Sequence, residues 1–364
     1  MRQGEGTEHL AAIARGPRAA GSEGEQAART YAASVLRDLG FEVQIERFDY
    51  SALPGRFGTP VGSALALATV LASTWLATVR GAPRVAAVVL AFGLIALALF
   101  ARRMLGDGVL TLPWLRESAE NLVARRGNEE PRVWLVAHLD SKSQPIPSAA
   151  RVAGIVLLAM GVLLVAVASL MTLAGAGPRT LWWLGAALAS SGAIPAMLSI
   201  VGNDSAGAVD NASGVAAVLT AAAMLPSELA VGVLLPSAEE LGLAGARAWV
   251  RSRGPLRATA LNCDSVDDDG ELTIMYTGQL PTTLVNALEA AAGRAPRVRR
   301  MPLGLLTDSV AFVDGGWQSV TVSRGSLATL RRVHTRRDSL AALRGDGIPQ
   351  VASMLARAAE ALAR

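Results

Sequence analysis

The sequence predicts an α/β fold, a sheet sandwiched by helices, that carries four transmembrane helices inserted as two hairpins. Three observations predict it. Short apolar segments that read as strands alternate with helical patterns through the second half of the chain. Four uncharged stretches, residues 57–79, 85–101, 152–178 and 180–203, each approach the roughly 20 residues that a spanning helix needs. The composition agrees: 51% of the 364 residues are apolar and only 18% are charged, against about 25% charged in an ordinary soluble domain.

The elements follow in order. Ser22 with Glu25 makes a capping box ahead of a helical run that Gly40 closes after Leu39. Residues 41–48 then alternate, Val43 and Ile45 against Gln44 and Glu46, the period of a half-buried strand. The first apolar run begins only after Arg56. A secretory signal would place its apolar core within the first 15 to 30 residues or so, so the N-terminus is expected to be retained. The four apolar runs pair across residues 80–84 and 175–179, turns too short for anything but helical hairpins, so each hairpin returns the chain to its starting side. Strands are expected at 121–125, 132–137, 231–235, 258–262, 271–276 and 319–323, with helices at 211–224, 282–292 and 348–363.

Composition also excludes. Cys263 is the only cysteine, so there is no disulfide framework. The formal charge is +4, but the basic residues are scattered, nearly all Arg, with few aromatics among them, which argues against a nucleic-acid partner. The one dense basic run, residues 294–300, reads as a solvated loop.

The residues able to do chemistry stand where strands stop. In VWLVAHLDS, His138 and Asp140 lie two apart on an extended chain and share a face, so that the carboxylate can orient the imidazole. GAVDNASGV puts Asp210 and Asn211 just before an apolar helix, whose N-terminal amides favour a carboxylate. PSAEELGLAG sets Glu239 beside Glu240 at a strand exit, where adjacent carboxylates repel unless something positive or a proton lies between them. One of the two can bind a metal while the other faces a water that the metal activates. LNCDS supplies Asp264, TDSVAF supplies Asp308, and RRVHTRRDS supplies His334 and Asp338. His9 lies in a polar amphipathic segment and reads as surface. Imidazoles and carboxylates without thiolates suit zinc.

In their order, HLAAIARGPRAAGSEGEQAA, ENLVARR, VAHLDS, GAVDNASGV, AEELGLAGA, LNCDSV and VHTRRDS resemble the co-catalytic dizinc aminopeptidases, a family that includes glutaminyl cyclases and the noncatalytic transferrin-receptor ectodomain. The resemblance implies a three-layer αβα zinc-exopeptidase fold with a mixed central sheet. It implies two zinc ions per chain, His138 and Asp264 on one, Glu240 and His334 on the other, and Asp210 bridging. Glu239 would be the general base and Asp140 the partner of His138. The reaction implied is hydrolysis of a peptide with a free N-terminus, releasing its first residue. Two alternatives stand beside it: a glutaminyl-cyclase-like acyltransferase using one zinc, and a noncatalytic membrane scaffold on a peptidase fold. The scaffold draws support from Val333 and Leu306, where some family members place a tyrosine as oxyanion donor.

The expected organisation is a catalytic domain of residues 1–56, 104–150 and 204–364, with hairpins at 57–103 and 151–203. Arg47, Arg56, Arg102, Arg103, Arg116, Lys142 and Arg151 flank the spans on the catalytic side, against Arg80, Arg84 and Arg179 at the hairpin turns. That bias implies an integral protein of the lipid bilayer, of the inner membrane if bacterial, with the catalytic domain on the cytoplasmic side. If the strands before the two hairpins run the same way, the active site is expected to face the bilayer surface.

Overall fold

Strands buried on both faces must read as nearly unbroken apolar runs, whereas edge strands tolerate charge, and the eight strands among the described residues sort themselves accordingly. The computed structural model describes residues 5–254, 258–302 and 304–364. In chain order the elements are α1 (Glu5–Ile13), α2 (Glu23–Asp38) and β1 (Glu42–Ser51); α3 (Leu53–Thr78), α4 (Pro83–Leu105) and the single turn α5 (Gly108–Thr111); β2 (Arg116–Arg126) and β3 (Val133–Val136); α6 (Ser148–Leu173) and α7 (Arg179–Met197). A π-type turn, Ala208–Ser213, then leads into α8 (Gly214–Met224), β4 (Val231–Leu235), α9 (Ala244–Arg253), β5 (Thr259–Val266), β6 (Glu271–Tyr276), α10 (Thr282–Ala291), β7 (Arg297–Arg300), α11 (Asp308–Asp314), β8 (Gln318–Gly325), α12 (Leu327–Arg332) and α13 (Ile348–Ala363). Two units divide these elements: Met1–Ser51, Leu112–Ser143 and Gly202–Arg364 form the first, Ala52–Thr111 and Gln144–Val201 the second.

The first unit is a three-layer αβα sandwich on one mixed sheet of order β1-β2-β4-β3-β5-β8-β6-β7. β4, β3, β5 and β8 are mutually parallel, β2 pairs antiparallel with β1 and β4, and β6 pairs antiparallel with β8 and parallel with β7. Alternation deals side chains to the two faces. Val133 and Leu135 of β3, Val231, Val233 and Leu235 of β4 and Leu261 of β5 meet α1, α2, α8, α10 and α13 in one core. Trp134, Val136, Leu234 and Ala260 point the other way, onto α9 and α11. There Trp249 meets Trp134 edge-on at 4.6 Å between ring centroids and Trp317 at 5.3 Å, contacts worth about 0.5–1.5 kcal/mol each beyond area burial. Gly232 makes the room: a Cβ there would lie 2.3 Å from the Trp134 ring.

Most of the expected elements are present within a few residues. Ser22 caps α2 by accepting from Glu25 N at 3.3 Å, but the Glu25 carboxylate returns to Gly21 N at 2.7 Å and not to Ser22. The basic run expected to be a loop contains β7, an edge strand with exposed Arg297, Arg299 and Arg300. Charge is compatible with a strand whose outer side needs no partner. β1 and β3 run in the same direction, so the chain leaves this unit after Ser51 and after Ser143 beyond the carboxyl ends of codirectional strands.

The second unit consists of α3, α4, α5, α6 and α7. Among the described residues three helices, α3, α4 and α6, are long and apolar enough to cross a membrane. α7 forms where the fourth span was expected, but it is not among those three helices. On α4, Val85, Val88, Phe92, Ile95 and Leu99 recur three and four apart and are all exposed, one continuous apolar stripe. α6 and α7 meet backbone to backbone. Gly154 and Gly161 face Gly185 and Gly192, and a Cβ on Gly161 would lie 2.4 Å from Ala189 N, one on Gly192 2.3 Å from Leu158 N. Small residues permit such an approach where packing, and not water, drives helix association. Gly161→Leu is therefore expected to force α6 from α7 and to cost about 1–3 kcal/mol by overpacking, read as a lowered unfolding midpoint of the purified chain in mild detergent.

Candidate metal centre

Parallel strands deliver their exits to one edge of a sheet, and that edge is where ligands collect in α/β folds. β3 ends at Val136 and is followed by His138; β4 ends at Leu235 and is followed by Glu239 and Glu240. Asp264 lies near the end of β5, where the pairing with β8 shifts register between Cys263 and Val266. Asp210 comes from the turn before α8, where it and Asn211 leave helical geometry. His334 follows α12. Left-handed backbone at Ala238 (φ 56°), Ser265 (φ 64°) and His334 (φ 65°) occurs at or beside three of these carriers, a conformation uncommon for side-chain-bearing residues and often found at functional sites.

All five expected metal ligands converge. Ligand atoms of His138, Asp210 and Asp264 lie within 4.8 Å of one another, and so do those of Asp210, Glu240 and His334. Asp210 belongs to both groups and turns one oxygen to each: Oδ1 is 3.2 Å from His138 Nε2, and Oδ2 is 2.9 Å from His334 Nε2. His334 Nε2 is also 3.3 Å from Glu240 Oε1, and His138 Nε2 is 4.0 Å from Asp264 Oδ1. Donors about 2.0–2.2 Å from a tetrahedral zinc stand roughly 3.3–3.6 Å apart, and the spacings here, 2.9 to 4.0 Å, lie on either side of that range. His138 Nε2 and Glu240 Oε1 are buried and have no hydrogen-bond partner, as expected of atoms reserved for a cation. Glu239 lies beside the first group, its Oε2 3.9 Å from His138 Nε2. Cys263 is buried in the core, where burial pushes its thiol up, and it belongs to neither group.

The charges respond to their crowding. Burial opposes ionisation of Asp210, but His138 and His334 outweigh it and hold the carboxyl well below its ordinary range. Burial likewise opposes the charge of Glu240, yet Lys142 and His334 pull it down to about 2. Burial, and then Asp210, push Asp264 up to about 6. Glu239 is raised well above the carboxylate range by burial, with Glu240, Asp308 and Asp264 adding to the effect. Burial works against protonation of His138, but Glu239, Asp140, Asp210 and Asp264 together keep its imidazole well above the usual range.

Two buried carboxylates act on the loops that carry the ligands. Asp140 accepts Glu239 N–H on Oδ1 at 3.0 Å and Glu240 N–H on Oδ2 at 3.1 Å. Its backbone carbonyl, at 3.0 Å, is closer to His138 Nδ1 than its carboxylate, at 3.6 Å. Asp140 thus adjoins His138 as expected, but the chain has left the sheet after Val136, so the carboxylate turns to the doubled-Glu loop and the carbonyl supplies the closest contact to the ring. Asp338 does the same for the bridging residue, accepting Val209 N–H at 2.7 Å and Asp210 N–H at 3.1 Å. Asn211 ties the turn to the loop after β5, donating to Cys263 O at 2.9 Å and accepting from Ser265 N at 3.1 Å. Arg18, 1% exposed, donates to Leu139 O at 2.9 Å, Gly207 O at 3.0 Å and Ala206 O. Asp338 and Arg18 carry no local sequence signal for these roles, because their partners are backbone groups distant in the chain. His9, expected at the surface, is half-buried, with Nδ1 2.8 Å from the Tyr31 hydroxyl.

No curated protein sequence matches the chain. Among solved structures it is similar to an aminopeptidase from Aneurinibacillus sp. strain AM-1, with TM-score 0.57 and 16% identity over 99% of this chain and 93% of that one. A zinc aminopeptidase from Bacillus subtilis gives TM-score 0.55 and 15% identity over 97% and 93%. A glutaminyl cyclase from Porphyromonas gingivalis gives TM-score 0.56 and 15% identity over 97% and 96%. At such identities the likeness establishes the zinc-exopeptidase fold. The model of peptidase family M28 matches residues 121–359, a span that contains every convergent ligand, and the chain accordingly belongs to that family of peptidases.

Proposed function

We propose that this chain is a membrane-anchored dizinc aminopeptidase. The observation that carries the reading is the pair of ligand groups sharing Asp210, with Glu239 beside them and outside both. His138 and Asp264 would hold one zinc, Glu240 and His334 the other, with Asp210 bridging. Zinc when bound would polarise a scissile carbonyl and acidify a water. Glu239 would take the proton of the attacking water and return it to the departing amine, a task suited to a carboxyl whose affinity for protons has been raised. Asp140 fixes the Glu239 and Glu240 amides, so both carboxylates keep their placement. The substrate would be a peptide with a free N-terminus. The second unit, with three helices apolar enough to cross a bilayer, would be the anchor, and the flanking arginines support a cytoplasmic catalytic unit. A glutaminyl cyclase shares the fold, and zinc stoichiometry separates that reading.

Asp308 contributes charge of a different kind. It is fully buried, neither carboxyl oxygen has a hydrogen-bond partner, and burial, with Asp140, Asp264 and Glu240 adding to it, pushes it up to about 8. Between its ordinary value of 3.8 and about 8 the folded chain holds a proton that the unfolded chain has lost, so this group makes stability fall as pH rises through that window.

Two measurements follow. The purified chain is expected to contain close to two zinc ions and to release N-terminal residues from a panel of aminoacyl substrates; Glu239→Gln should keep the zinc and lose activity by about 10²–10⁴-fold, whereas a content of one zinc with cyclisation of N-terminal glutamine would replace the reading. In chelator-treated protein, Asp308→Asn is expected to unfold at a higher temperature than wild type at pH 8.5, with the gap closing towards pH 4, as followed by thermal melts.

A further inference from the structure

Lys142 is the only lysine of the chain, two residues past Asp140 on the loop leaving β3. Its Nζ lies 2.5 Å from Glu240 Oε2, with the lysine side chain 12% exposed and that of the glutamate 4%. The other oxygen, Glu240 Oε1, faces His334 Nε2 at 3.3 Å and has no hydrogen-bond partner. The two oxygens of one buried carboxylate are therefore committed differently, one to an ammonium and one towards the metal position. The other group is not so arranged: among the described residues neither Asp210 nor Asp264 makes an ion pair with a lysine or arginine. A dication entering at Asp210, Glu240 and His334 meets a fixed positive charge on one of its own ligands, in a place where water screens little. Groups one shell out from a metal tune its affinity strongly.

We propose that Lys142 is a resident competitor of the metal at the Asp210–Glu240–His334 position, holding Oε2 of Glu240 so that a divalent ion there is bound through Oε1 and less tightly than a neutral residue 142 would allow. The inference rests on the dizinc reading. Lys142 acts through Glu240 and is a positioning residue: with no ion bound, its ammonium keeps the buried carboxylate paired and aimed, and with an ion bound it limits the grip.

The test is a zinc titration of the full-length chain in detergent, metal-depleted and read against a chromophoric chelator. An Asp264→Asn background strips a ligand from the other group and leaves the Asp210–Glu240–His334 position. There Lys142→Met is expected to tighten zinc binding tenfold or more, and Lys142→Arg, which keeps the charge, to stay within threefold of the lysine form. In a Glu240→Gln background the Lys142→Met change should be under threefold. Lys142→Gln should reproduce the tightening and serves if the methionine variant does not fold. Unchanged or weaker zinc binding in the neutral variants overturns the proposal and leaves the dizinc reading intact; a wild-type chain that takes up no zinc overturns both.

Discussion

Too much negative charge in too little water is the constraint around which the first unit is organised. Asp140, Asp210, Glu239, Glu240, Asp264, Asp308 and Asp338 are all buried around His138 and His334, and a buried carboxylate without a cation or hydrogen bonds costs several kcal/mol. The chain meets that cost in three ways. Asp140 and Asp338 receive pairs of backbone amides. Burial pushes Asp308 towards its protonated form. Asp210 and Glu240 lean on imidazoles and on Lys142. Negative charge still exceeds what these groups neutralise, a setting that favours a bound cation.

The amide clamps explain how such a cluster keeps its shape. Each takes two successive N–H groups, so it fixes a peptide plane as well as a point. One orients the doubled-Glu loop after β4, the other the turn that carries Asp210. Arg18 binds carbonyls from the loops on either side. The two aspartate clamps and a deeply placed guanidinium thus form an alternating lattice beneath the ligands, while the parallel strands supply only the rough convergence.

Much of this was legible in the sequence because strand-end chemistry and apolar runs leave local traces. His138, Asp210, Glu240 and Asp264 sit at switches from apolar runs to polar turns, and the hairpin helices follow from uncharged length alone. Three things were not legible. The aim of the Asp140 carboxylate depends on how the chain bends after Val136, which alternation cannot give. The roles of Asp338 and Arg18 lie in contacts to backbone far away in sequence, and backbone carries no residue signature. β7 was hidden because its arginines satisfy an exposed edge as readily as a loop.

The chain leaves the first unit after β1 and again after β3 and returns each time. β3 sits between β4 and β5 in the sheet, but both neighbours are translated only after α6 and α7. The ribosome therefore delivers both hairpins before the centre of the sheet can be zipped. During synthesis β3 must wait unpaired on its parallel sides, a vulnerable interval for a segment so apolar, and the nascent protein reaches its working form only once the carboxyl-terminal third has emerged.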